Sequence, residues 1–181
     1  MIPQGHFESL HRMVFAQPGL AIYAVMDGAM IDGLPGRLAQ AAPESACLFE
    51  GSLDPMLSAA APWLVRLAPG SAATRMALHE GWNGHWGIVL ATAADQDLRS
   101  VRAHLRRVLR VRAADGKAML FRFYDPRAFR TVIPTFDPPT RREFFGPIQG
   151  AWVEARAPDA ALYFARDGKA DPQALPLASV A

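Results

Sequence analysis

The sequence predicts an α/β (α+β) domain: a mixed β-sheet with a prominent hairpin, flanked by helices. Three observations predict it. Short apolar runs such as "GLAIYAVMDGA", which ends at Asp-Gly, and "WGIVLATA", which follows a glycine-rich turn, have the length of buried strands. One segment, Leu98 to Val108, has helical apolar spacing instead. "LRVRAADGKAMLFRFYDP" alternates on both sides of Asp-Gly, the signal of a hairpin.

The elements follow in chain order. A helix is expected from Phe7 to Phe15. The first strand ends at Asp27-Gly28, where Asp27 either caps the following turn or acts as an acid-base group. "LPGRLAQAA" reads as a short helix with Pro35 in its first turn. "ACLFEG" and "APWLVRLAP" read as brief strands, the second bounded by prolines. A glycine-rich turn precedes the strand Trp86 to Thr92. A helix from about Gln96 to Arg107 then carries Leu98, Val101, Leu105 and Val108 toward a core, with Asp95 and Asp97 at its N-terminus.

In the hairpin, a two-residue Asp115-Gly116 loop would oppose Arg112 to Met119, mixing polar and core positions. A three-residue loop, Ala114 to Gly116, opposes Val111 to Met119 and Leu109 to Phe121. A slip of one residue flips every side chain, so the second register is expected, with Gly116 left-handed. One face becomes Leu109, Val111, Met119, Phe121 and Phe123. The other carries Arg110, Arg112, Leu120, Arg122 and Tyr124. Asp125 then caps a helix that begins at Pro126, with Arg127 and Arg130 one turn apart. The stretch "FRFYDPRAFR" reads as a structural corner built from Arg122, Tyr124, Asp125, Pro126 and Arg127. Beyond it, Pro138 starts a helix containing Phe144 and Phe145, which Gly146-Pro147 stops. "AWVEA" and "ALYFA" are two more strands. Residues 1–167 are expected to form one domain, and the proline-rich 168–181 a loosely ordered tail.

Composition narrows the function classes. At 181 residues one domain can bury roughly 70% of its unfolded surface. A hydrophobic fraction of 51% against 20% charged residues is that of a globular protein. Cys47 is the single cysteine, so no internal disulfide can form. The start lacks a basic region followed by an apolar core, so no signal peptide is expected. Apolar stretches fall short of the roughly 20 residues of a membrane helix. The expectation is a soluble cytoplasmic protein without membrane contact.

Charge is unevenly placed. From Arg99 to Arg112 run six arginines with no acidic residue between them. Two readings stand: a surface for nucleic acid or an acidic partner, and the solvated face of an amphipathic helix. Arg102, Arg106, Arg110 and Arg112 are the candidate partner-binding arginines, with Phe144 and Phe145 as candidate interface aromatics.

Catalytic patterns are missing. "HEGWNGH" places His79 and His85 six apart with glycines between, unlike the four-residue helical spacing of a zinc protease. No nucleophile elbow, P-loop or dinucleotide fingerprint occurs. No catalytic residue, metal or cofactor is expected. The competing enzyme reading is a small or metal-dependent hydrolase using Asp27, His79, Glu80 or His85.

Taken in order, "IYAVMDGA", "CLFEG", "APWLVRL", "WGIVLATA", "VRAHLRRVLRVRAADGKAMLFRFYDPRAFR" and "FFGPI" resemble the type VI secretion effector adaptors, also called effector chaperones or Tap/TEC proteins. The resemblance spans about residues 20–148. It implies a non-enzymatic bacterial protein that binds a toxic effector in the cytoplasm and loads it onto the spike-tip protein VgrG. It implies no cofactor and no nucleic acid. It carries no catalytic residue to any position of this chain.

Overall fold

A computed structural model describes residues 1–42, 44–112 and 116–178. Its strands are β1 (Leu20–Asp27), β2 (Ser45–Cys47), β3 (Pro62–Leu67), β4 (Gly87–Ala93), β5 (Arg110–Arg112), β6 (Ala118–Leu120), β7 (Ile148–Glu154), β8 (Ala160–Ala165) and β9 (Gln173–Pro176). Its helices are α1 (Gln4–Phe15), α2 (Leu34–Ala41), α3 (Pro55–Ala60), α4 (Ala72–Arg75), α5 (Leu98–Val108), α6 (Pro126–Val132) and α7 (Pro138–Phe145). The fold is α+β. Seven strands form one sheet in the order β2-β3-β1-β4-β7-β8-β9, and β5-β6 form a separate pair. The described ladders are antiparallel throughout, so the sheet is not the parallel-antiparallel mixture expected.

The central strands are apolar on both faces because helices cover both. Strand side chains alternate, so β1 divides cleanly. Ile22, Ala24 and Met26 pack with Leu10 and Val14 of α1, Leu34 and Leu38 of α2, and Met76 and Leu78. Ala21, Tyr23 and Val25 pack on the other side with Val101 and Leu105 of α5, Phe129 of α6, and Phe144 and Phe145 of α7. Among the described residues, no helix is long and apolar enough to cross a membrane.

Several elements match the sequence pattern closely. Asp97 caps α5 through Ser100 N at 2.7 Å. Asp125 caps α6 through Arg127 N at 2.9 Å, and Pro126 is the first helical residue. Val111 opposes Met119, and Phe121 N donates to Leu109 O at 2.8 Å, which is the expected register. Gly116 has φ +81°. Ala114 and Asp115, the rest of the expected loop, lie outside the described residues.

Others differ. The β pattern stops at Leu120. Phe123 N turns back to Phe121 O, and Asp125 N to Arg122 O, so the alternation breaks into tight turns. Tyr124 is therefore buried beside Phe123, with the more exposed Arg122 lying over its ring, and is not on an open strand face. Met119, expected in the core, is 53% exposed because β5-β6 stand off the main sheet. The "HEGWNGH" stretch is not all turn: residues 76–80 continue α4 as a π-helical turn, with Gly81 N donating to Met76 O. The 168–181 segment is not loose throughout: β9 pairs with β8, and buried Leu177 anchors it to the core.

Candidate functional site

Two polar constellations are built by these elements, one at the end of the sheet and one around the hairpin. At the first, β1 and β7 end on either side of the start of β4 and carry two buried carboxylates, Asp27 and Glu154. Asp27 Oδ1 accepts from Ala29 N at 3.0 Å, so it does cap the turn after β1. Its other oxygen is ion-paired with Arg122. Arg122 also lies over the Tyr124 ring, 5.7 Å from its centroid. Burial, with the Asp27 charge adding to it, pushes the Tyr124 hydroxyl up to about 12, so it stays a neutral phenol at ordinary pH.

Asp125 sits beside them. Burial pulls its pKa upward, but hydrogen bonds from the Arg127 side chain at 2.8 and 3.0 Å outweigh that and hold it below the usual carboxylate range. Glu154 accepts from His85 N at 3.0 Å and from His85 Nδ1 at 2.8 Å. Burial raises the Glu154 pKa, and the pairing with His85 offsets only part of the rise. The Arg130 guanidinium donates to the Glu154 carbonyl. Arg122 and Tyr124 thus stack beside the Asp125-Arg127 pair at the start of α6, whose first residue is Pro126. The Asp27 and Glu154 connections were the part not foreseen. The available signal was a lone acid at the end of each apolar strand.

The four residues of the hydrolase reading are each engaged with a different partner. Asp27 faces Arg122, Glu80 pairs with Arg37 at 2.6 Å, His85 pairs with Glu154, and His79 lies 5.1 Å from the Phe7 ring. No cluster of three or more His, Cys, Asp or Glu placed to hold a metal occurs among the described residues.

The arginines of α5 have specific work. Leu48 N donates to Pro62 O at 2.8 Å, but Pro62 has no N–H to return the bond. Arg106 Nε donates to Leu48 O at 3.0 Å in its place, and its terminal nitrogen reaches Phe49 O. Cys47 occupies the non-hydrogen-bonded position next to that pair, so its carbonyl points away from β3. Arg102 Nε donates to it at 2.7 Å. Both candidate arginines are therefore committed to backbone carbonyls of the β2 segment. Arg110 is different: 73% of its side chain is exposed, and it meets Glu50 at 2.9 Å. Arg112 pairs through its backbone with Ala118, and its side chain lies outside the described set. Phe144 and Phe145, proposed as interface aromatics, are core instead. Phe144 is ringed by Phe121, Phe123, Phe129 and Phe136 at 5.6–6.1 Å, because α7 lays its apolar side on the sheet.

The second constellation surrounds the hairpin, where Met119 and Leu120 are about half exposed. On one side a groove of about 250 Å³ runs between Leu120, Leu57, Leu53 and Arg106. On the other a groove of about 520 Å³ lies between α5, β5 and α7, lined by Arg107, Val108, Val111, Phe121, Phe136 and Arg142. Arg110 borders both.

A family model matches residues 22–143, within the stretch that carries the resemblance above. It is described as DUF4123, a domain of unknown function. No curated protein and no solved structure matches the chain.

Proposed function

The chain belongs to the DUF4123 family, and on that premise we propose that it is an adaptor and chaperone of a type VI secretion system. In this reading it binds a toxic effector in the bacterial cytoplasm and loads it onto a VgrG-type spike protein. The observation that carries the reading is the hairpin. It stands apart from the main sheet, exposes Met119 and Leu120, and is flanked by two grooves with arginine rims. Exposed apolar side chains bordered by arginines are the composition of a protein-docking surface. The polar corner, by contrast, is internally paired and braces the fold. The function needs no catalytic residue, metal or cofactor, and no contact with nucleic acid or membrane.

The test is co-purification from the native host with type VI genes expressed. Recovery of a spike protein, an effector, or both is expected. Consistent failure to recover either overturns the reading.

A further inference from the structure

We propose that the larger groove, between α5, the hairpin and α7, receives a short acidic amphipathic helix of the partner protein, an assignment that rests on the adaptor reading above. The floor is apolar: Val108, Val111, Phe121 and Phe136 line it and are each partly exposed. The rim is cationic. Arg107, Arg110 and Arg142 are exposed, and Glu143 is the single acid among the described lining residues. Arg107 lies 3.3 Å from the ring of buried His104. Arg110 and Arg142 meet Glu50 and Asp167, each at 2.9 Å. Exposed pairs of that kind are weak, and an incoming carboxylate can replace Glu50 or Asp167 at little cost.

The walls decide between a helical and an extended occupant. α5 and α7 satisfy their own backbone groups, and β5 offers only three residues of strand. An extended segment would find few backbone partners there, whereas a helix brings its own hydrogen bonds. α7 has eight residues and is about 12 Å long, so two to three turns of a partner helix fill the groove. The occupant then has apolar residues at i, i+3, i+4 and i+7 facing the floor, with Glu or Asp on both flanks to meet the rim.

The probe is a synthetic fluorescein-labelled peptide of about 14 residues, with leucines at that spacing and glutamates beside them. Two control peptides carry Lys for every Glu, or one central Pro that breaks the helix. Anisotropy against the full chain gives affinity, and backbone amide shifts locate the site. We expect binding by the acidic helical peptide, with shifts confined to residues 104–111, 121 and 136–147. The double variant Arg107→Glu, Arg142→Glu should weaken it by about tenfold or more. Its melting temperature should remain that of wild type. Equal binding by the Lys peptide or the Pro peptide, shifts on another face, or no binding overturns the proposal.

The same double variant is then used in the co-purification. Loss of effector or spike recovery is expected. Undiminished recovery overturns the groove as the partner site and leaves the adaptor reading standing. If wild type binds the peptide yet recovers neither partner, the adaptor reading falls and the groove's chemistry stands.

Discussion

Arg122 and Asp27, 95 residues apart in sequence, form an ion pair in which the aspartate is 1% exposed and the arginine is 44% exposed. The pair ties the segment after the hairpin to the end of the central strand. Removing the cation strands a charge among apolar side chains. Arg122→Ala should therefore cost about 3 kcal/mol, the usual penalty for breaking such a pair from one side. For a chain of this size that is a fall of about 6–12 °C in melting temperature, measurable by circular dichroism. A change under 2 °C would show that the pair contributes no net stability.

Arg102 and Arg106 should also behave as structural residues. Each donates to carbonyls of the β2 segment, and charge-assisted bonds of this kind contribute about 1–2 kcal/mol after allowance for partial exposure. Arg102→Ala and Arg106→Ala should each lower the melting temperature by several degrees. Arg99→Ala, on an exposed position of the same helix, should not. Thermal shifts of the three single variants, compared under one buffer, check this; equal values would remove the distinction.

The contrast shows where sequence reasoning reaches. Helix periodicity correctly turned Val101 and Leu105 inward, and Asp125-Pro126 announced the start of α6. Local patterns record local geometry. What Arg106 does depends on Pro62 lacking an N–H to offer Leu48 O, and Leu48 and Pro62 meet only because β2 pairs with β3. No spacing along the chain encodes that meeting. The burial of Tyr124 has a related cause: strand alternation stops at Leu120, where turns replace the strand. Phe144 and Phe145 have the composition of an interface and the position of a core, and only the packing of α7 on the sheet separates the two.

His104 gives a pH dependence with a definite sign. It is 5% exposed, its Nε2 lies 2.7 Å from Phe144 O, and burial, with a smaller contribution from Arg107, lowers its pKa below the ordinary 6.5. Well above 6.5 neither the folded nor the unfolded state holds the proton, and stability is unaffected. As pH falls below 6.5 the unfolded chain takes it first. Stability then declines until the folded residue also titrates, by up to about 1.4 kcal/mol per pH unit. His104→Gln should flatten that decline in urea titrations between pH 7.5 and 5. An unchanged slope would place the dependence on other groups.

Gly87 should be irreplaceable. A Cβ there would stand 2.0 Å from Val25 O, at the last pair of the β1-β4 ladder between two central strands. Neither backbone can retreat without breaking the ladder. Gly87→Ala should abolish soluble expression or cost several kcal/mol, among the largest effects of a single methyl group. Wild-type yield together with a wild-type melting temperature would contradict the close approach.

The capped carbonyls of Cys47 and Leu48 have a consequence beyond the single molecule. An open sheet has two margins from which a strand of another copy can grow, and native proteins blunt such margins with charge or proline. β2 is one margin here, and the guanidinium groups of Arg102 and Arg106 occupy the outward carbonyl of Cys47 and the Leu48 carbonyl beside it. β9 is the other; Pro172 precedes it and Pro176 ends it. Edge-to-edge polymerisation is thereby discouraged at both margins. The helix that covers one side of the sheet also keeps neighbouring copies from templating on its border.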